Sequence, residues 1–113
     1  MQLSVIIVSY NVEAFLAQCL VSVERAIKHY YEASGKKDAI EVFVVDNISV
    51  DDTTEMVKTK FPWVKLIENK ENVGFSIANN QAIKISEAKY VLLLNPDTVF
   101  QEYTFTECMT FAD

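Results

Sequence analysis

Tyr90-Val91-Leu92-Leu93-Leu94-Asn95-Pro96-Asp97-Thr98 decides the fold: an unbroken apolar run stops abruptly at an amide, a proline and a carboxylate. A strand that ends this way carries one acidic oxygen ligand out of the core to the carboxyl edge of its sheet, where open α/β sheets bind ligands. Two earlier segments end similarly. Residues 3–8 run into Ser9-Tyr10-Asn11, and residues 42–45 run into Asp46-Asn47. Three apolar strands therefore deliver polar side chains toward one edge.

Helical patterns separate these strands. Apolar residues recur at Phe15, Leu16, Cys19, Leu20, Val23, Ala26, Ile27, Tyr30 and Tyr31, the stripe of a helix lying on a sheet, and Gly35 marks its exit. A second strand is predicted over residues 39–46. Ser49 is a candidate N-cap for a second helix, with Asp51, Asp52 and Glu55 in the first turn, where the helix dipole favours negative charge. Phe61-Pro62 stops that helix, residues 64–67 read as a third strand, and Phe75, Ala78, Ala82 and Ile85 mark a third helix. A last helical segment is predicted from about residue 102 to 111.

Strands alternating with helices imply right-handed crossovers and a mostly parallel sheet covered on both faces, a Rossmann-like three-layer α/β/α architecture. With the first strand central, strands two and three on one side and strand four on the other, the switch point lies between strands one and four. Ser9, Tyr10, Asp46 and Asp97 are then expected around one crevice.

Composition narrows the chemistry. At 113 residues, half of them hydrophobic, the chain is expected to form one globular domain. Sixteen acidic residues against ten basic give a net charge of -6 with no basic stripe, which argues against a nucleic-acid partner. No apolar stretch approaches the roughly 20 residues of a membrane span, and the first strand follows Met1 too closely for a signal peptide. The expectation is a soluble, cytoplasmic chain. Cys19 and Cys108 lack a C-x-x-C spacing and His29 is the single histidine, so all three read as structural.

Two glycines in the whole chain exclude both the G-x-G-x-x-G turn and the G-x-x-x-x-G-K-S/T phosphate loop. A nucleotide would then be held through a divalent cation. Mg²⁺ or Mn²⁺ takes carboxylate and phosphate oxygens together, with water completing the octahedron. Like charges about 4 Å apart repel by about 4 kcal/mol at an effective dielectric near 20, so a diphosphate beside Asp97 needs an intervening cation. Such a cation also stabilises a departing diphosphate.

Four stretches carry a family resemblance: Ser9-Tyr10-Asn11 after strand one, Asp46-Asn47-Ile48-Ser49-Val50-Asp51-Asp52-Thr53 after strand two, Asn72-Val73-Gly74-Phe75 with Asn79-Asn80, and Asn95-Pro96-Asp97-Thr98. In this order, each at a strand end or helix start, they resemble the motifs of family 2 glycosyltransferases of the GT-A fold. The Asn-Pro-Asp-Thr form is similar to the rhamnosyltransferase-like branch, whose donors are often dTDP-linked sugars. The resemblance implies that residues 1–113 are a single N-terminal nucleotide-sugar-binding domain, an incomplete GT-A domain. The implied activity is transfer of a sugar from a dTDP- or UDP-sugar, such as dTDP-rhamnose, to a glycan or lipid-linked acceptor in surface polysaccharide synthesis.

Carried over residue by residue, the resemblance implies that Asp46 accepts a hydrogen bond from the N3-H of a uracil or thymine ring, with Ser9 and Tyr10 lining the base pocket. Asp97 corresponds to the metal-binding carboxylate of the D-x-D motif. Asn95 stands at that motif's first Asp, a position contacting ribose or metal, and its uncharged amide weakens the Mg²⁺ or Mn²⁺ site. Asn72 and Gly74 shape the loop beside the nucleotide, and Asn79 either bonds near the donor or holds the end of strand four. The general base of the implied inverting mechanism comes from sequence downstream of this strand. The chain therefore reads as the nucleotide-binding half of a larger enzyme, inactive alone, with any membrane association belonging to the full-length protein. A sheet cut short in this way exposes an edge and an apolar face that favour homo-oligomers.

Each of these residues also has a plain structural explanation. Asp46 and Asp97 suit helix or turn caps, Asp51 and Asp52 suit the helix dipole, and Gly74 suits a backbone turn. A sugar nucleotidyltransferase shares the architecture but would carry a glycine- and basic-rich loop after strand one. A non-catalytic nucleotide-binding or interaction module is the third reading.

Overall fold

Runs of valine and isoleucine build the two inner strands, β1 (Leu3–Ser9) and β2 (Ile40–Asp46), and every residue of β2 is buried. Strands covered on both faces lose the polar alternation of a half-exposed strand, which is why these segments read as continuous apolar runs. In the computed structural model, which describes residues 2–99, 101 and 104–106, the chain continues as α1 (Glu13–Ser34), α2 (Thr53–Lys60), β3 (Lys65–Glu68), α3 (Phe75–Ile85) and β4 (Tyr90–Leu94). The four strands are parallel in the order β3-β2-β1-β4, so the switch point falls between β1 and β4 as the sequence predicts.

The two faces are unequal. Leu3, Val5 and Ile7 of β1 and Ile40, Val42 and Val44 of β2 point into the larger core, where Leu16, Cys19, Leu20 and Val23 of α1 and Met56 and Val57 of α2 meet them. On the other face Ile6, Phe43 and Val45 pack against Ala78 and Ala82 of α3. Two alanines let that helix lie close over β1 and β2. The same face of β4 stays open among the described residues, with Val91 and Leu93 exposed.

Helix α1 outruns the apolar stripe by a turn because nothing stops it before Gly35. That residue adopts φ 74°, and its N-H closes the helix on the Tyr31 carbonyl at 3.0 Å. The Tyr31 hydroxyl then accepts the N-H groups of Ala39 and Ile40, each at 3.1 Å, and ties the helix exit to the start of β2. The third strand lies one residue later than predicted, at Lys65–Glu68. Of the helix predicted near 102–111, only residues 104–106 are described. They are helical, with Phe105 fully buried and Thr106 Oγ1 bonded to His29 Nδ1 at 2.9 Å. Cys108 lies outside the described residues.

Candidate functional site

At the carboxyl edge, the ends of β1 and β4 and the entrance to α3 enclose a crevice of about 380 Å³, lined by Val8, Tyr10, Val12, Asn47, Asn72, Gly74, Phe75 and Pro96. The predicted residues divide around it. Tyr10, Asn72 and Gly74 form its walls, and Pro96 places the Asn95-Asp97 turn at its rim. Ser9 and Asp46, expected in the same crevice, do not line it. They are the last, mutually paired residues of β1 and β2, and strand alternation turns them to the α1 and α2 side, opposite to Val8 and Asn47.

Asp46 is only 2% exposed, and both its oxygens are engaged by Ser49. Oδ2 accepts the Ser49 backbone N-H at 2.9 Å, and Oδ1 accepts the Ser49 hydroxyl at 2.6 Å. This overturns the expected N-cap role of Ser49: α2 begins at Thr53, with Asp52 at its cap position and no side-chain cap bond. The Ser9 hydroxyl beside Asp46 is fully buried and has no hydrogen-bond partner among the described residues. A buried hydroxyl left unpaired costs about 1–3 kcal/mol.

The two loops at this edge are stitched together. Asn11 Oδ1 accepts the Val50 N-H at 2.7 Å, and the Asn11 N-H donates to Ser49 Oγ at 2.9 Å. Asp51 accepts from the Glu13 N-H, the Thr53 N-H and the Thr53 hydroxyl, while Glu13 accepts the Asp52 N-H at 3.1 Å. Burial pushes the Asp51 carboxyl up, but the bonds from Thr53 and Glu13 outweigh it and hold it below the ordinary carboxylate value. Asp51 and Asp52 therefore precede α2 rather than forming its first turn.

On the crevice side, Asn72 Oδ1 accepts the Gly74 N-H at 2.9 Å, and Gly74 enters α3 at φ 82°, ψ 172°. That region is essentially restricted to glycine. A Cβ on Gly74 would meet nothing within 4 Å, so the constraint is the backbone and not space. Gly74→Ala is expected to cost about 1–3 kcal/mol, read as a lower urea midpoint with unchanged slope.

Sequence reasoning missed Asn47 as a site residue. Its Nδ2 donates to the Gly74 carbonyl at 3.2 Å and its Oδ1 accepts from Asn69 Nδ2 at 2.9 Å, while Asn69 exchanges bonds with Gln81 of α3. This amide chain fixes the crevice wall to β2. Its only sequence signal is an amide directly after a buried strand. Asn79, by contrast, is buried and donates to the Phe75 carbonyl of its own helix at 3.1 Å.

Asn95 and Asp97 are exposed in a turn closed by the Thr98 N-H on the Asn95 carbonyl at 3.0 Å. The turn sits beside α1: burial, with the Asp97 charge second, raises the Cys19 thiol to about 11 and leaves it inert as a nucleophile. Among the described residues no three or more His, Cys, Asp or Glu gather into a metal-holding group. Asn95 and Asp97 are hard oxygen donors from one turn. They fit a cation that takes its remaining ligands from a diphosphate and water, not a site built from protein alone.

A parallel sheet with its crevice at the topological switch point is the arrangement in which open α/β domains bind ligands. The chain belongs to glycosyl transferase family 2, whose model matches residues 4–113. It is 29% identical over 97% of its length to the minor teichoic acid biosynthesis protein GgaB of Bacillus subtilis. It is 31% identical over 86% of its length to a poly(ribitol-phosphate) beta-glucosyltransferase of Bacillus spizizenii. It spans only 12% and 15% of those proteins. Among solved structures, residues 1-349 of S. aureus TarS in complex with UDP match the whole chain at TM-score 0.86 and 28% identity, with 32% of that chain covered. The same protein is also solved in complex with UDP-GlcNAc. The architecture is that of GT-A glycosyltransferases. In the described residues no helix is long and apolar enough to cross a membrane.

Proposed function

We propose that this chain binds the donor of a sugar transferase, with a UDP-sugar ahead of a dTDP-sugar, and that the acceptor is a cell-surface polymer of the polyol-phosphate kind. The observation that carries the reading is the crevice at the β1/β4 switch point, walled by Tyr10, Asn47, Asn72 and Gly74 and rimmed by the Asn95-Asp97 turn. Family membership and the UDP complexes of a similar structure support it. The similar proteins named above act in teichoic acid synthesis or hold uridine nucleotides, so dTDP-rhamnose and the rhamnosyltransferase-like branch move behind UDP. The family match also leaves the sugar nucleotidyltransferase alternative without support.

In this reading the uracil stacks on the Tyr10 ring beside the Asn47 amide of the crevice wall, and Asp46, expected from the sequence to accept its N3-H, is covered on the other side of the sheet edge and anchors the loop through Ser49. Asn72 and the Gly74 backbone face the ribose and phosphates, and Asn95 and Asp97 hold the rim where the diphosphate ends. Asn95 and Asp97 would hold a Mg²⁺ or Mn²⁺ there, which would supply positive charge against the departing diphosphate. Transfer forms a bond from the acceptor oxygen to the anomeric carbon and breaks the bond to the diphosphate, which leaves with the electron pair. The acceptor's proton passes to a base outside the residues assigned here. A cytoplasmic location belongs to the same proposal.

Calorimetric titration with UDP and dTDP, each in Mn²⁺ and in EDTA, tests the reading. Binding that is tighter for UDP and strengthened by Mn²⁺ is the expected result. A folded chain that binds neither nucleotide would instead favour a non-catalytic interaction module.

A further inference from the structure

We propose that Asn47 is a specificity-determining residue, whose second amide N-H donates to the C4 carbonyl oxygen of a uracil in the crevice and turns away the C4 amino group of a cytosine. The inference rests on the nucleotide reading above and names the group that tells one pyrimidine from another.

The direction of the Asn47 amide is forced by its neighbours. The Gly74 carbonyl can only accept, so the side-chain atom facing it at 3.2 Å is the nitrogen Nδ2. Oδ1 then faces Asn69, which must offer its own Nδ2, at 2.9 Å. The same Asn69 nitrogen donates to Gln81 Oε1 at 2.9 Å, and Gln81 Nε2 returns a bond to Asn69 Oδ1 at 3.1 Å. A flip of any one amide would set nitrogen against nitrogen or oxygen against oxygen, so a single backbone carbonyl orders all three. The Asn47 backbone is pinned as well, its N-H donating to the Ser9 carbonyl at 2.8 Å.

A primary amide carries two N-H groups, and Asn47 spends one of them on Gly74. The other has no partner among the described residues. Asn47 is only 3% exposed, and it is the one buried residue among those that line the crevice. The innermost polar group offered to a ligand is therefore a donor. A base that enters along the Tyr10 ring leads with the edge farthest from its ribose, which in a pyrimidine is C4, across the ring from N1. Ribose and diphosphate then trail back to the rim at Asn95 and Asp97. Uracil brings an oxygen acceptor to Asn47, whereas cytosine brings an amine and sets two donors face to face. A site built to bond one group rejects the analogue that lacks it, because its own polar group is left unpaired.

The experiment compares UDP with CDP by calorimetry in Mn²⁺ for the native chain, Asn47→Ala and Asn47→Asp. One hydrogen bond exchanged for two unpaired donors corresponds to a native preference for UDP of about tenfold or more. Asn47→Ala should bring the two affinities together. Asn47→Asp, whose carboxylate only accepts, should turn the ratio toward CDP even though its charge weakens both nucleotides. An amide with a merely structural role would weaken both alike and leave the ratio where it was. Asn47 is buried, so a comparison on the native chain covers the case in which its variants fail to fold. Sulfur in place of the C4 oxygen of UDP, a poor acceptor, should weaken binding by about tenfold, and sulfur in place of the C2 oxygen should leave it nearly unchanged. Equal native affinity for UDP and CDP, a preference for UDP that survives in Asn47→Ala or Asn47→Asp, or equal effects of sulfur at C2 and C4 would overturn the role of Asn47 alone. A folded native chain that binds neither nucleotide would overturn the nucleotide reading, and this inference with it.

Discussion

Asp46→Ala is expected to lower stability by about 3 kcal/mol and, by freeing the loop that Ser49 ties to Asn11 beside Tyr10, to weaken UDP binding, because hydrogen bonds to a charged group contribute about 1.5–3 kcal/mol each. Two such bonds end on this carboxylate, and its removal strands the Ser49 N-H and hydroxyl beside the already unpaired Ser9 hydroxyl. In a domain of this size the loss corresponds to a fall in Tm of about 10 °C. Asp46→Asn keeps the shape and one acceptor, so it should show a smaller fall in Tm and keep more of the binding. That separation is the useful measurement: thermal melts and UDP titrations on both variants. Lost UDP affinity in a folded Asp46→Asn of near-native Tm would instead make this carboxylate a direct contact to the nucleotide.

Asp97→Ala should show the opposite combination. The residue is exposed in a turn, and surface substitutions of this kind stay within about 0.5 kcal/mol of native stability. Binding should nevertheless change sharply. If Asp97 supplies the carboxylate of a cation shared with the diphosphate, its loss removes the Mn²⁺-dependent gain in UDP affinity, on the order of tenfold to a hundredfold for a displaced charged ligand, and leaves the affinity in EDTA untouched. Titration with and without Mn²⁺ reads this directly. A variant that still gains from Mn²⁺ would move the metal away from Asp97. One that loses affinity equally in EDTA would make Asp97 a direct contact to the nucleotide.

The layer order was legible because inner parallel strands are buried on both faces and cannot hide their apolar runs. The strand order β3-β2-β1-β4 is the one expected with the first strand central, a placement that crossover handedness allows but does not by itself fix. Helix exits were legible where chemistry forces them, at Gly35 and before Pro62. Helix starts were less so. Ser49 has the composition of an N-cap, but Asp46 lies within reach of both its donors, and the Asp46-Ser49 pair formed instead of the cap. The loop thus became an ordered turn and α2 was delayed to Thr53. Asn47 escaped notice because its three partners, Gly74, Ser9 and Asn69, come from separate parts of the chain.

The sequence by itself determined the class of protein: the period of its apolar residues and its four ordered polar motifs suffice for an open α/β domain of family 2 glycosyltransferase type. Tertiary structure alone decided how those polar residues divide. Strand alternation sends Ser9 and Asp46 to one side of the sheet edge and Asn47 to the other, with Asp46 covered and bonded to Ser49 and Asn47 bonded to Gly74 at the crevice wall. Motif order records which residues arrive at an edge. Which way each one turns depends on pairing register and on partners distant in sequence, and these exist only once the chain has folded.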